Sequence, residues 1–361
     1  MTNHEYRVRI EPQARTIVAS AERSVLDAAL AAGLNLPHSC KSGHCASCRA
    51  RLVSGEIHYP NGRTAGLTAV EAKAGYILMC QARPLTDLTL QARVIANVAD
   101  VEIKTLPCRI ARLERLAPDV MQVFLRLPAV EPLRFQAGQY LDVLLEGGRR
   151  RSFSIACPPH DSDLIELHVR HVPGGGFTGA LFNSLRVGSL LRIEGPIGQF
   201  IYRDGAAPAI LIAGGTGFAP IKAMLRHALE RVAPEGPHAA ERMPEKPARQ
   251  IHFYWGARQA IDLYERALVL DWARQYPNLT FTAVLSDART IDPAATHSHL
   301  GWVHEAVLAD HPILEPFDVY AAGPPALVEA IRSTFPARGL TEDRLHFDSF
   351  DYAPDSAPQH A

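Results

Sequence analysis

Neither sign of charge dominates the 361-residue chain, in which 37 lysines and arginines face 38 acidic residues. Binding to nucleic acid phosphates needs a positive field, so nucleic acid is not expected as a partner. Long apolar runs are missing as well. No stretch approaches the length of a membrane span, and the opening "MTNHEYRVRI" lacks the apolar core of a secretory signal. No membrane association is expected, and the expected compartment is the cytoplasm. Cysteine is scarce. Six residues are too few for a disulfide scaffold, and four of them fall in a ligand-like pattern that suits a reducing compartment. There is no internal repeat, and the length points to two or three domains.

Local patterning divides the chain. Residues 1–97 read as a small α+β unit: "YRVRI" alternates as a half-buried strand and "TIVAS" is its hairpin partner. Ser24 with Asp27 predicts a capping box for a helix that stops at Gly33, and Thr68 with Glu71 predicts another that ends near Gly75. Residues 103–206 carry short strands punctuated by glycine and proline plus one helix, "FTGALFNSL", which predicts an antiparallel β-barrel. From 207 to 350 strands and helices alternate, which predicts a doubly wound parallel sheet. The proline- and charge-rich stretch 233–249 reads as a solvated loop, and 351–361 as a frayed tail.

The first unit contains "CKSGHCASC". Cys40, Cys45 and Cys48 are spaced CxxxxCxxC, and Cys80 stands alone downstream, which is the plant-type 2Fe-2S spacing. Cluster sulfurs carry negative charge, so the loop around them needs small residues that let amide N–H groups approach; Ser42, Gly43, Ala46 and Ser47 provide them. A structural zinc site would show two close ligand pairs far apart, and Cys80 has no near partner. His44 alone does not make a Rieske site, which needs two histidines. Cys108 and Cys157 read as small buried apolar side chains.

In the second unit "RRSFSIA" places Arg151, Ser152, Phe153 and Ser154 on a predicted strand. Downstream, Gly174, Gly175 and Gly176 precede a helix whose first-turn amides are free, an end that can bind pyrophosphate; a plain glycine turn fits the same residues. In the third, "AILIAGGTGFAPI" is a buried strand, a glycine turn and a helix, with Pro220 suited to the first helical position. Gly214, Gly215, Thr216 and Gly217 would let a pyrophosphate approach the carboxyl edge of the sheet. The turn is not the GxGxxG fingerprint of conventional dehydrogenases.

The cysteine loop, with Cys80 in "LMCQARP", resembles the ferredoxin module of plant-type 2Fe-2S reductases, although Ala46 stands where many relatives have glycine. "RSFS", "PGGGFT" and "GPIGQF" together resemble the FAD domain of the ferredoxin-NADP reductase superfamily, and "GGTGFAP", "YWGARQAIDLY" and "YAAGPPA" its nicotinamide domain. The resemblance implies a β-grasp ferredoxin domain ahead of an FAD barrel and an NAD(P) domain. It implies Cys40, Cys45, Cys48 and Cys80 as cluster ligands, and it places Arg151 and Ser152 in the flavin site, with Arg151 on the flavin phosphates. Phe153, where relatives have tyrosine, would lie along the flavin, Ser154 near flavin N5, and Gly174, Gly175, Gly176 and Thr178 on the pyrophosphate. Gly323 and Pro324 would join the GGTG turn in holding NADH, with Ala322 in place of a common cysteine. Phe347 and Phe350 could cover the flavin or be core residues of the last strand. Asp287 disfavours a 2'-phosphate and Arg289 favours one, so NADH is expected and NADPH stays open.

A nicotinamide yields two electrons as one hydride while a 2Fe-2S cluster takes one at a time, and a flavin between them can do both. The implied function is an NAD(P)H-dependent reductase passing electrons through FAD and the cluster to a partner protein. The resemblance extends to reductases of the CDP-6-deoxy-Δ3,4-glucoseen reductase type, which serve a pyridoxamine-phosphate dehydrase, and to reductase components of multicomponent oxygenases. A redox-sensing cluster protein, or a flavin reductase of small molecules with an accessory cluster, are the alternatives of other classes.

Overall fold

A computed structural model describes residues 4–34, 36–38, 41, 43, 46–62, 64, 66–92, 94, 103–230, 248–287 and 298–350. Cys40, Ser42, His44, Cys45, Arg289, nearly all of the 233–249 loop and the 351–361 tail lie outside the described residues. The chain forms two compact units, divided at Val101. Among the described residues no helix is long and apolar enough to cross a membrane.

The first unit runs β1 (Glu5–Glu11), β2 (Arg15–Ser20), α1 (Val25–Ala31), β3 (Arg49–Ser54), β4 (Ile57–His58), α2 (Ala69–Lys73), β5 (Tyr76–Leu78), β6 (Arg83–Pro84) and β7 (Leu88–Gln91). Its five-stranded sheet has the order β2-β1-β7-β3-β5, with β1 and β7 parallel at the centre. Strand alternation buries Val8 and Ile10 against Val25, Leu26 and Ala29 of α1 in one core. Local signals fix both helices. Thr68 and Glu71 form the complete capping box, while at α1 only half of it forms: the Ser24 hydroxyl accepts from Asp27 N, and the Asp27 carboxylate accepts a hydrogen bond from that hydroxyl at 2.7 Å instead of from the Ser24 amide. Gly33, at φ 72°, ends α1 in a Schellman turn, with Leu34 N bonded to Ala29 O. The stretch "YILMCQARPLTDLTLQA", whose composition reads as a strand throughout, is instead broken by a turn at Met79–Ala82 that carries Cys80.

The second unit opens with β8 (Lys104–Ala117), β9 (Val120–Arg126), β10 (Tyr140–Leu144), β11 (Arg150–Ser154), β12 (Ile165–Arg170), α3 (Gly176–Asn183) and β13 (Leu190–Ile197). The antiparallel order is β11-β10-β13-β8-β9-β12. A bridge from Ile155 to Leu167 joins the two outer strands, so the sheet closes into a barrel around Ile110, Leu125, Leu141, Leu167 and Ile193. There follow β14 (Ala209–Gly214), α4 (Phe218–Glu230), β15 (Ile251–Ala257), α5 (Arg266–Gln275), β16 (Leu279–Leu285), β17 (Ser298–Leu300), α6 (Val303–Asp310), β18 (Asp318–Gly323), α7 (Pro325–Thr334) and β19 (Leu345–Ser349). All six strands are parallel in the order β17-β16-β15-β14-β18-β19, with separate cores on the two faces. The order reverses between β14 and β18, and a doubly wound sheet binds ligands outside such a switch point. α4 begins at Phe218, so Pro220 is third in the helix rather than first; no first-turn amide has an intrahelical acceptor, and the missing N–H leaves no bond unmade.

Candidate functional site

In the first unit, Cys48 and Cys80 are buried in one core, 2% and 6% exposed. The Cys80 turn is tied on both sides: Met79 N donates to Cys48 O at 3.1 Å, and Leu26 N at the start of α1 donates to Met79 O at 3.0 Å. The cysteine loop is wound through three left-handed residues, Lys41, Gly43 and Ala46, at φ 54°, 83° and 58°. Left-handed residues within a short loop turn successive amides toward one side, a concavity suited to anions. Gly43 cannot be larger, since a Cβ there would lie 2.9 Å from both Gln81 Cγ and Thr64 Cγ2. The hydroxyls of Ser47 and Thr64 are buried with no partner among the described residues, donors available to sulfurs held in the loop. These features fit a 2Fe-2S cluster. Ala46 adopts at a cost of roughly 1–2 kcal/mol the conformation that glycine takes freely.

In the barrel, β11 alternates. Arg151 and Phe153 share one face, and Ser152 and Ser154 the other. The Phe153 ring meets Phe177, in the first turn of α3, with centroids 5.5 Å apart. The strand and the glycine-led helix are thus brought together. Gly175 caps α3 with no side-chain hydrogen bond, so the amides of residues 176–178 have no intrahelical acceptor. Gly174 sits at φ 76°, and a Cβ at Gly175 would come within 2.6 Å of Thr178 Oγ1. The Thr178 hydroxyl is buried in the turn, accepting from Val172 N at 3.1 Å, so its backbone amide is the group that faces outward with the helix end. An uncapped helix end with glycines at its approach fits a pyrophosphate. Ser152 donates to Asp142 at 2.6 Å, and Ser154 is buried. Cys108 and Cys157 are buried and burial pushes both thiols up to about 12, so they stay protonated.

At the switch point, Gly215–Gly217 makes one 3₁₀ turn, Thr216 included, between β14 and α4. The turn and the end of β18 touch backbone to backbone: a Cβ at Gly217 would lie 2.0 Å from Ala322 O, and one at Gly323 3.0 Å from Gly214 Cα. A Cβ at Gly214 would lie 2.8 Å from Pro324 Cδ. Phe350 N donates to Gly323 O at 2.8 Å, so the residue after β19 is held to the same crevice, whereas Phe347 packs on the sheet core under the Arg332 guanidinium. Trp255 Nε1 donates to Gly215 O at 3.0 Å and stacks on Phe218 at 4.0 Å. A glycine cradle at this edge fits a dinucleotide.

Sequence reasoning missed the polar face of β12. Glu166, His168 and Arg170 alternate with Ile165, Leu167 and Val169, which line the barrel. The Arg170 guanidinium reaches the GGTG turn, 3.5 Å from where a Gly215 Cβ would stand. Glu166 is buried and accepts from Lys222 Nζ of α4 at 2.8 Å, from His168 Nε2 at 2.8 Å and from Gln122. Burial alone would push its carboxyl up, but the His168 hydrogen bond and the Lys222 charge hold it well below the usual carboxylate range. Its pairing therefore stabilises the fold above the ordinary value of 4.5, and that contribution is lost as pH falls from there toward the folded value. The stability gap between the parent protein and Glu166→Gln should thus be widest at neutral pH and shrink below pH 4.5, read as thermal midpoints across a pH series.

Three family models cover most of the chain: the 2Fe-2S iron-sulfur cluster binding domain over residues 8–85, the oxidoreductase FAD-binding domain over 107–202, and the oxidoreductase NAD-binding domain over 211–333. A CDP-6-deoxy-L-threo-D-glycero-4-hexulose-3-dehydrase reductase of Yersinia pestis is 35% identical over 343 residues, 95% of this chain and 98% of that one. The chain belongs to the iron-sulfur flavoprotein reductases. Reductase component 1 of terephthalate 1,2-dioxygenase from a Comamonas species is also 35% identical, over 92% of this chain and 93% of its own. The crystal structure of Amycolatopsis cytochrome P450 reductase GcoB is 32% identical and superposes with a TM-score of 0.70, covering 96% of this chain and 98% of that one. The reductase is accordingly an NAD(P)H-dependent oxidoreductase that uses FAD and a 2Fe-2S cluster, on a fold of ferredoxin, barrel and parallel-sheet domains.

Proposed function

We propose that the reductase takes a hydride from NADH onto FAD and delivers single electrons through its cluster to a pyridoxamine-phosphate dehydrase of deoxysugar synthesis. The similarity to a dehydrase reductase along 98% of that protein's length is the observation that supports this acceptor. The flavin, when bound, supplies the conversion of a two-electron donor into two one-electron steps. The chain's residues bind and orient. Gly174, Gly175, Gly176 and the Thr178 amide hold the FAD pyrophosphate with Arg151, Phe153 lies along the flavin, and Ser154 presents its hydroxyl at the N5 edge. The turn from Gly214 to Gly217, with Gly323, Pro324 and Arg170, holds NADH, and Phe350 covers the flavin until nicotinamide displaces it. Cys40, Cys45, Cys48 and Cys80 hold the cluster. Asp287, exposed past the end of β16, disfavours a 2'-phosphate and supports NADH. The ferredoxin domain spans residues 1–97, the FAD barrel 103–206 and the nicotinamide domain 207–350.

The equal identity to a dioxygenase reductase component favours a second reading, delivery to an oxygenase. Reconstitution separates them. NADH consumption should rise when purified pyridoxamine-phosphate dehydrase and its CDP-4-keto-6-deoxyhexose substrate are added together. Stimulation by a ring-hydroxylating oxygenase alone would move the assignment to the second reading.

A further inference from the structure

α4 leaves the GGTG turn and lies along the barrel, where three of its residues spaced one turn apart meet charged groups of the β11–β12 side. Lys222 Nζ is 2.8 Å from Glu166, Arg226 Nη2 2.7 Å from Asp161, and Glu230 Oε2 2.7 Å from His160 Nε2. The outer two pairs are solvated and hold little. The inner one differs. Lys222 and Glu166 side chains are each 5% exposed, and Lys222 also donates to both Glu265 oxygens at 2.8 and 2.9 Å. His168 bridges onward, its Nε2 on Glu166 and its Nδ1 3.0 Å from the Tyr264 hydroxyl.

Gln122, Glu166 and His168 come from the barrel, and Lys222, Tyr264 and Glu265 from the nicotinamide domain. Glu166, His168 and Glu265 place ligand atoms close enough to hold a metal ion, and the Lys222 ammonium supplies the cation among them. A buried network with its charges paired tolerates few arrangements, because any sliding leaves a desolvated charge unpaired. It also sits between the two cofactor segments. The Ile155–Leu167 bridge puts His168 directly across from Ser154, and Lys222 is the fifth residue of the helix that starts at the GGTG turn.

We propose that this network sets the angle at which the nicotinamide domain docks on the flavin barrel, making Lys222 and Glu166 positioning residues for hydride transfer. The proposal rests on the reading that NADH reduces a flavin beside Ser154. The test is stopped-flow reduction of the full-length holoprotein. A misplacement near 1 Å costs about 10²-fold, so Lys222→Met should slow the limiting rate of flavin reduction by NADH on that scale. FAD content, the NADH dissociation constant, and photochemical reduction of the flavin should stay near parental, and the isotope effect with C4-deuterated NADH should rise. Lys222→Arg should recover part of the rate. Glu265→Gln, which keeps the Lys222–Glu166 pair, should show a smaller slowing and decides the matter if Lys222→Met does not accumulate folded. A limiting rate within about threefold of the parent in Lys222→Met, or in Glu265→Gln where Lys222→Met does not accumulate folded, would overturn the proposal. A parent protein whose flavin NADH does not reduce would instead overturn the reading beneath it.

Discussion

Serine in place of Cys80 should abolish electron delivery to one-electron protein acceptors such as cytochrome c while leaving NADH-driven reduction of ferricyanide, which can draw directly on the flavin. Cys80 sits 6% exposed in a turn closed against Cys48 O and α1, so its ligand atom is held in place by the backbone around it. A serine hydroxyl keeps its proton where a thiol gives its own up, and the proton blocks metal ligation. The same variant should lose the cluster's visible absorption and its low-temperature spin-resonance signal. If cytochrome c reduction survives with both signals absent, electrons leave from the flavin and the cluster is not on the path. If Cys80→Ser retains a full cluster, the ligand set is wrong. The variant also separates the reductase from a redox sensor, whose parent form would show no sustained turnover with either acceptor.

The architecture was legible because each unit carries local chemistry that outvotes its surroundings. Thr68 with Glu71, Gly33 after α1, the alternation of β1 and the uniformly apolar "AILIA" each name an element without reference to the rest of the fold. The glycine motifs were legible for a related reason: close backbone approach admits only one residue type, and Gly43, Gly217 and Gly323 all face contacts that a Cβ would enter. The break at Cys80 was not legible, because "YILMCQARP" reads apolar whether it continues as a strand or turns, and what bends it is hydrogen bonding to α1. The half-formed box at Ser24 has a similar origin, since an aspartate is one methylene shorter than the glutamate that reaches back at Thr68. Most of what was missed lies where one domain covers another. Glu166, His168 and Arg170 alternate as the solvated face of a strand would, and Lys222 in "FAPIKAML" looks like a surface lysine; only the docking of α4 on the barrel makes Glu166, His168 and Lys222 a buried network.

Gly217 should be the least tolerant position of the nicotinamide crevice. Adding a single methyl group there, in Gly217→Ala, places a carbon 2.0 Å from Ala322 O and 2.4 Å from Ala322 C, and both are main-chain atoms in the middle of a parallel sheet. A side chain could rotate away, but a strand paired on both sides to β14 and β19 cannot, so the turn itself must lift off β18. Overpacking of this kind costs about 1–3 kcal/mol in stability. With this turn holding the dinucleotide as proposed, the functional loss is of similar size: a shift near 1 Å predicts about a 10²-fold fall in flavin reduction by NADH, with a raised KM for NADH. Gly205→Ala is the control. Its Cβ would meet only Asp318 Oδ2 at 3.7 Å, an ordinary contact, and both stability and rate should stay at the parental level. A raised KM is what distinguishes Gly217→Ala from the loss of Lys222, which should slow reduction without weakening NADH binding. Parental NADH kinetics in Gly217→Ala would mean that the turn and β18 do not approach as closely as the glycine requires, and the crevice between Gly214 and Gly323 would lose its claim to the nicotinamide.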